Sequence, residues 1–96
     1  MKFGTKSIHA GQEPCPFTGS HVSPIYQTST YVLKNIDEAI RLNQNQELGF
    51  TYTRFGSPTA AELENKMAIL ENGEAALAVG SGMAAISTAL LNSLKA

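Results

Sequence analysis

Cysteine is nearly absent from this sequence, with Cys15 alone. That excludes an internal disulfide and every multi-cysteine zinc framework, and it fits a reducing, cytoplasmic setting. Charge of one sign is also lacking: seven basic side chains face eight acidic ones, for a formal charge of −1. No electrostatic footprint for a polyanion results, so nucleic acid is disfavoured as a partner. Long apolar runs are missing too. The longest strictly apolar stretch, residues 75–79, falls far short of the roughly 20 residues that a bilayer span requires, so no segment reads as transmembrane. The opening Met1-Lys2-Phe3-Gly4-Thr5-Lys6 carries two lysines but leads into Ser7, His9, Gln12 and Glu13, not into the apolar stretch of a secretory signal. Length itself is short: 96 residues lie below the usual domain size of roughly 100 to 200, which leaves no room for two cores.

What is present is the composition of a packed protein, 43% hydrophobic and 16% charged, unlike the charge-rich, aliphatic-poor signature of disorder. Three of the four prolines (Pro14, Pro16, Pro24) fall in the first 30 residues with Gly11 and Gly19, which predicts an irregular arm. Residues 22–32 are rich in β-branched and aromatic side chains, but Pro24 interrupts any ladder, so the segment reads as extended. Asn35-Ile36-Asp37-Glu38 predicts an N-cap with an acidic residue at N3. The helix it opens places Ile36, Ala39 and Ile40 on one face and ends in the polar run Asn43-Gln44-Asn45-Gln46-Glu47, before Gly49.

The second half is more regular. Ser57-Pro58-Thr59 supplies helix-start chemistry, and Thr59-Ala60-Ala61-Glu62 matches a capping box. A helix over 58–72 follows, with Leu63, Met67 and Leu70 as its apolar stripe, Glu64 and Lys66 off it, and Gly73 as a left-handed cap. Residues 75–79 then predict a short buried strand, Gly80-Ser81-Gly82 a tight turn, and residues 83–94 a second helix with Met83, Ile86, Leu90 and Leu94 on one side. A single strand cannot persist alone, because a parallel α/β sheet buries both faces. The missing partner strands, and an end at Ser93-Leu94-Lys95-Ala96 without a capping glycine, suggest the truncated N-terminal portion of something larger.

Two places could hold an anion. Gly80-Ser81-Gly82-Met83 follows a strand and opens a helix, so backbone N–H groups and the helix dipole favour phosphate there, and Ser81 adds a hydroxyl. The same tripeptide reads equally as a sharp αβα corner. In Tyr52-Thr53-Arg54, residues i and i+2 of an extended segment point the same way, so a phenol and a guanidinium can converge on one anion. Surface packing with a solvated arginine is the plainer reading of that pair. Cys15 has no histidine at a spacing that would activate it. His9 and His21 lack a ligand set and read as loop histidines, while the Met67 and Met83 side chains read as packing.

Taken together, Ile8-His9-Ala10-Gly11, Pro24-Ile25-Tyr26-Gln27-Thr28-Ser29-Thr30-Tyr31, Tyr52-Thr53-Arg54, Ser57-Pro58-Thr59, Leu63-Glu64, Leu70-Glu71 and Ser81-Gly82-Met83-Ala84-Ala85 resemble the N-terminal part of the cysteine/methionine-metabolism enzymes dependent on pyridoxal phosphate. That family includes cystathionine γ-synthase, cystathionine γ-lyase, cystathionine β-lyase, methionine γ-lyase and O-acetylhomoserine sulfhydrylase, and the resemblance covers nearly the whole chain. Ser57 departs from it, standing where the family usually has asparagine.

The resemblance implies an α/β chain, the N-terminal portion of a fold type I enzyme: an arm over 1–57 that wraps a neighbouring subunit, then the start of the cofactor-binding domain over 58–96. It implies that Ser81, Gly82 and Met83 hold the cofactor phosphate in their own subunit. Tyr52 and Arg54 would reach the phosphate of the neighbouring subunit across the dimer interface of a homo-oligomer. It also implies that the Schiff-base lysine, the stacking tyrosine and the aspartate on the ring nitrogen lie beyond residue 96. None of Lys2, Lys6, Lys34, Lys66 or Lys95 has the expected motif, so these 96 residues alone are expected to be inactive. In the complete enzyme the cofactor serves as an electron sink for carbanions at Cα and then Cβ, allowing elimination or replacement at the γ-carbon of a sulfur amino acid or O-acyl-homoserine. The His-Ala-Gly-Gln opening inclines the reading to cystathionine γ-synthase or γ-lyase. A non-catalytic module that binds phosphate or pairs with an enzyme subunit is the rival from another class, favoured only if the reading frame stops after Ala96.

Overall fold

The computed structural model describes residues 1–45 and 49–94. Within them lie four helices: α1 (Phe3–His9), α2 (Ile36–Gln44), α3 (Pro58–Leu70) and α4 (Gly82–Ser93). Gln46 and Glu47 of the polar run, and the terminal Lys95-Ala96, fall outside the described residues.

Three helix starts follow from side-chain caps. Asn35 Oδ1 accepts from the Glu38 amide at 2.8 Å, while the Glu38 carboxylate accepts from the Lys34 amide at 2.7 Å, so each end of the first turn of α2 satisfies the other. Ser57 caps α3 through the Ala60 amide at 3.2 Å, with Pro58 just inside. Ser81 caps α4 through the Ala84 amide at 3.1 Å. The expected capping box at Thr59 does not form. Ser57 already takes that role, and the Thr59 hydroxyl instead accepts from the Tyr26 amide at 2.9 Å, tying the arm to α3.

The end of α3 also differs from expectation. Asn72, not Gly73, adopts the left-handed conformation, with φ of 55°. The Gly73 amide donates back to the Ala68 carbonyl at 2.8 Å and the Asn72 amide to Ile69 at 3.3 Å, a Schellman arrangement that asparagine can serve because it tolerates positive φ.

Helix α1 is absent from the sequence reading, which takes the first 30 residues as irregular. Seven residues are too few for an isolated helix, and no side chain caps its start. It exists because it docks on α3. The Lys66 ammonium donates to the Ser7 carbonyl at 3.2 Å, the Ile8 carbonyl at 3.1 Å and Gln12 Oε1 at 3.0 Å, placing a cation on the C-terminal carbonyls where the helix dipole favours one. Gly11, with φ of +75°, lets the chain leave α1 directly over α3: a Cβ there would stand 2.6 Å from the Lys66 nitrogen and 2.8 Å from its Cα. Glycine is needed twice over, for its backbone angle and for its missing side chain.

The remaining arm is held by short links. The Cys15 amide donates to the Ser20 carbonyl and the Gly19 amide to the Cys15 carbonyl, at 2.9 and 2.8 Å, closing a loop with Gly19 at φ +74°. Farther along, Thr30 and Tyr52 of the same chain form an antiparallel bridge, the one pairing made by residues 22–32 among the described residues.

The expected strand at 75–79 is neither paired nor buried: no strand forms among the described residues, and Leu77 is 69% exposed. Without a neighbouring strand its backbone has no ladder, and the Ala78 amide turns to the Glu64 carboxylate at 2.8 Å. The apolar stripes of α3 and α4 likewise face outward, with Leu63 and Met83 exposed. On α3 it is the residues off the stripe, Glu64 and Lys66, that make the internal contacts. On α2 the buried residue is Leu42, not the expected Ile36 and Ile40 face.

Among the described residues the buried set is Ala10, Cys15, Leu42 and Ser57. Accessible surface is 7920 Å², against about 5,300 Å² for a compact chain of this mass. The radius of gyration of 15.8 Å exceeds the roughly 12.5 Å of a self-contained domain of this length. Helices α2 and α4 and the outer side of α3 therefore present apolar faces with no cover among the described residues.

Candidate functional site

The start of α4 leaves two backbone donors open. The first amides of a helix have no intrahelical acceptor. Here the Ala84 amide is taken by Ser81 Oγ and the Ala85 amide by the Ser81 carbonyl at 3.1 Å. The amides of Gly82 and Met83 remain open at the positive end of a twelve-residue helix. Ser81 Oγ accepts within the cap, so its hydroxyl hydrogen is still available to donate outward. A Cβ built on Gly80 or Gly82 would meet nothing within 4 Å, so an incoming group can reach the backbone from that side. Two convergent amides and a hydroxyl form a donor set suited to a phosphate.

Tyr52 and Arg54 are brought together, though not by the extended geometry that the sequence suggests. The chain turns at Tyr52, with the Phe55 amide donating to the Tyr52 carbonyl and the Gly56 amide to the Thr53 carbonyl, both at 3.0 Å. Side-chain alternation along a strand therefore does not apply. The turn instead lays the Arg54 guanidinium over the Tyr52 ring, 5.0 Å from its centroid, while Phe55 meets the same ring edge-on at 6.2 Å. The phenol is thus held from two sides and the guanidinium from one, with the Arg54 side chain exposed. Stacking of this kind uses the arginine face and leaves its edge donors free for an anion.

Thr53 was missed in the sequence, although it stands between the two site residues. Its amide donates to the Ser29 carbonyl at 2.9 Å and its hydroxyl to the Thr28 carbonyl. An open groove runs between residues 26–29 of the arm and residues 52–54. The two candidate places do not meet: among the described residues no hydrogen bond or ring contact joins Tyr52 and Arg54 to Ser81, Gly82 and Met83.

The other candidates carry no site. Cys15 is covered by its own loop, and its thiol is lowered from the usual value chiefly by the Thr18 hydroxyl, then by the backbone of Thr18 and Phe17. No histidine is placed against it. No group of three or more metal-ligating side chains forms among the described residues, and no described helix is long and apolar enough to cross a membrane.

Among the described residues no strand forms, apolar helix faces are exposed and α4 opens with two free amides. Residues 4–96 match the model of the Cys/Met metabolism PLP-dependent enzymes, and the chain belongs to that family. It is 50% identical over 92 residues to O-acetyl-L-homoserine sulfhydrylase of Leptospira meyeri, covering 96% of this chain and 21% of the relative. It is 48% identical over 93 residues to L-methionine gamma-lyase of Fusobacterium nucleatum subsp. polymorphum, covering 97% and 23%. Among solved structures, cystathionine gamma-lyase of Lactobacillus plantarum complexed with L-serine superposes with a TM-score of 0.78 at 40% identity, covering 96% of this chain and 22% of that one. The chain spans about a fifth of the length of these relatives and corresponds to the N-terminal portion of the fold type I architecture. The family is dependent on pyridoxal phosphate, and the open amides of α4 fit the phosphate of that cofactor.

Proposed function

We propose that this chain is the N-terminal part of a pyridoxal-phosphate-dependent enzyme of transsulfuration or methionine metabolism, acting at the γ-carbon of a sulfur amino acid or an O-acyl-homoserine. The observation that carries this is the first turn of α4, where capping by Ser81 leaves the Gly82 and Met83 amides as the free pair. Those amides, with the Ser81 hydroxyl, bind the cofactor phosphate in their own subunit. Bound there, the cofactor supplies an electron sink for substrate carbanions.

Tyr52 and Arg54 act in trans, contacting the phosphate held by α4 of a second subunit. Support comes from the two places having no hydrogen bond or ring contact between them among the described residues, and from a guanidinium that is stacked on one face and open at its edge. Residues 1–57 are the arm of such a homo-oligomer and residues 58–96 the start of its cofactor-binding domain, in a reducing compartment that suits the one free thiol, Cys15.

For the reaction itself, the sulfhydrylase and methionine γ-lyase readings are supported by relatives of 50% and 48% identity. The cystathionine reading is supported by a solved cystathionine gamma-lyase at 40% identity. Assays of the intact protein with O-acetylhomoserine plus sulfide, with methionine and with cystathionine separate the three. Arg54→Ala removes a charge-assisted contact worth about 1.5 to 3 kcal/mol, so cofactor affinity is expected to fall about ten- to a hundredfold. Unchanged affinity in a normally assembled variant rejects the trans role.

A further inference from the structure

We infer that Thr53 is the positioning residue of the Tyr52–Arg54 anion clamp. The inference rests on the reading of that pair as a phosphate contact, and adds what holds it in shape. Of the three residues, Thr53 alone makes no ring contact, and beside the Thr30–Tyr52 bridge it supplies the hydrogen bonds to residues 28 and 29. Its amide donates to the Ser29 carbonyl at 2.9 Å and its hydroxyl to the Thr28 carbonyl. One residue therefore engages two successive peptide units of an otherwise loosely held segment.

The bonds fall at the start of the turn. Tyr52 closes that turn by accepting from the Phe55 amide, Thr53 by accepting from the Gly56 amide, both at 3.0 Å. The bridge between Thr30 and Tyr52 fixes the strand-like side, and the Thr53 hydroxyl fixes the rotation of the peptide that leads to Arg54. Arginine loses much rotamer freedom when it binds an anion. A backbone already set, with the guanidinium resting 5.0 Å above the Tyr52 ring, lowers that ordering cost before the phosphate arrives. Valine at position 53 matches threonine in shape and lacks the donor. Serine keeps the donor and lacks the methyl. The two substitutions therefore separate hydrogen bonding from packing.

The test is a double-mutant cycle on the intact, assembled protein, with pyridoxal phosphate as the probe and its dissociation constant, read from cofactor absorbance, as the observable. Thr53→Val is expected to weaken binding about three- to tenfold, and Thr53→Ser to restore it to within about twofold. In the Arg54→Ala background, Thr53→Val is expected to have no further effect, because Thr53 acts through Arg54. Full affinity in Thr53→Val, or an equal loss with and without Arg54, overturns the inference. Should Thr53→Val fail to assemble, Thr53→Ala is judged by the same two criteria. An Arg54→Ala protein that binds the cofactor normally rejects the clamp itself and this inference with it. A weakened Arg54→Ala beside an unaffected Thr53→Val rejects only the role of Thr53.

Discussion

Gly11→Ala is the substitution through which the docking of α1 on α3 can be measured. Its backbone angle, φ +75°, costs a residue with a Cβ about 1 to 2 kcal/mol. The steric part is added to this: the new methyl would lie 2.6 Å from the Lys66 nitrogen, 2.8 Å from its Cα and 3.1 Å from the Asn65 carbonyl carbon. All three are backbone atoms in the middle of α3, which cannot swing aside like the end of a flexible side chain. Gly19 provides the internal control, because its φ is +74° and a Cβ there meets nothing within 4 Å. Gly19→Ala thus measures the angle alone, and the difference between the two variants isolates the clash. We expect Gly11→Ala to cost about 2 to 4 kcal/mol locally, enough to lift α1 from α3 and release the three hydrogen bonds of Lys66.

Amide hydrogen exchange in the intact protein is the suitable assay. The Lys6 and Ala10 amides, which donate to the Lys2 and Lys6 carbonyls at 3.0 and 2.9 Å, report on α1 directly. Their protection should fall at least about thirtyfold in Gly11→Ala, with the loop of Gly19 unchanged. Gly11→Asn should be nearly as damaging, since asparagine tolerates the angle but still brings a Cβ. Wild-type protection of α1 in Gly11→Ala would refute the reasoning, and recovery in Gly11→Asn would reduce it to the angle.

Two further outcomes follow from the caps and the thiol. Ser81→Ala removes the acceptor for the Ala84 amide and should destabilise the first turn of α4 by about 1 kcal/mol while weakening inorganic phosphate binding; calorimetric phosphate affinity equal to wild type would contradict the donor assignment. Thr18→Val removes the main influence that lowers the Cys15 thiol, so its titration, followed by thiolate absorbance, should move up toward that of free cysteine. Because the folded-state value is depressed, the stabilisation attached to this thiol is present above the unfolded thiol's pKa and is lost as pH falls through the folded one. A titration unchanged by Thr18→Val would show that the backbone amides alone set it.

Local chemistry was legible in the sequence at the helix starts, though not at the end of α3, where Asn72 takes the left-handed turn expected of Gly73. Asn35 caps α2 and Ser57 opens α3 as read, whereas Ser81, read as part of a tight turn, proves to be the cap of α4. Contacts between distant segments were not legible. Helix α1 depends on Lys66, nearly sixty positions away in the chain, and no pattern within Phe3–His9 announces it. Thr59 has the sequence context of a cap, yet its hydroxyl is diverted to Tyr26. The stripes of α3 and α4 show the expected periodicity, but periodicity cannot say whether a covering surface belongs to the same 96 residues. Tyr52 and Arg54 do lie together, but through a turn and not the extended geometry read from the sequence, because a turn cannot be told from a strand across three residues.

The lysine that fastens α1 also has a chemical consequence. An aldehyde is captured by an amine only through a free lone pair, and the Lys66 ammonium has all three of its protons committed to Ser7, Ile8 and Gln12. For a family whose cofactor is itself an aldehyde, capture at Lys66 therefore requires at least one of these contacts to break. Adventitious imine formation is left to side chains such as the exposed Lys2 and Lys34, and the clasp shields its own fastening from the reagent that the protein is built to hold.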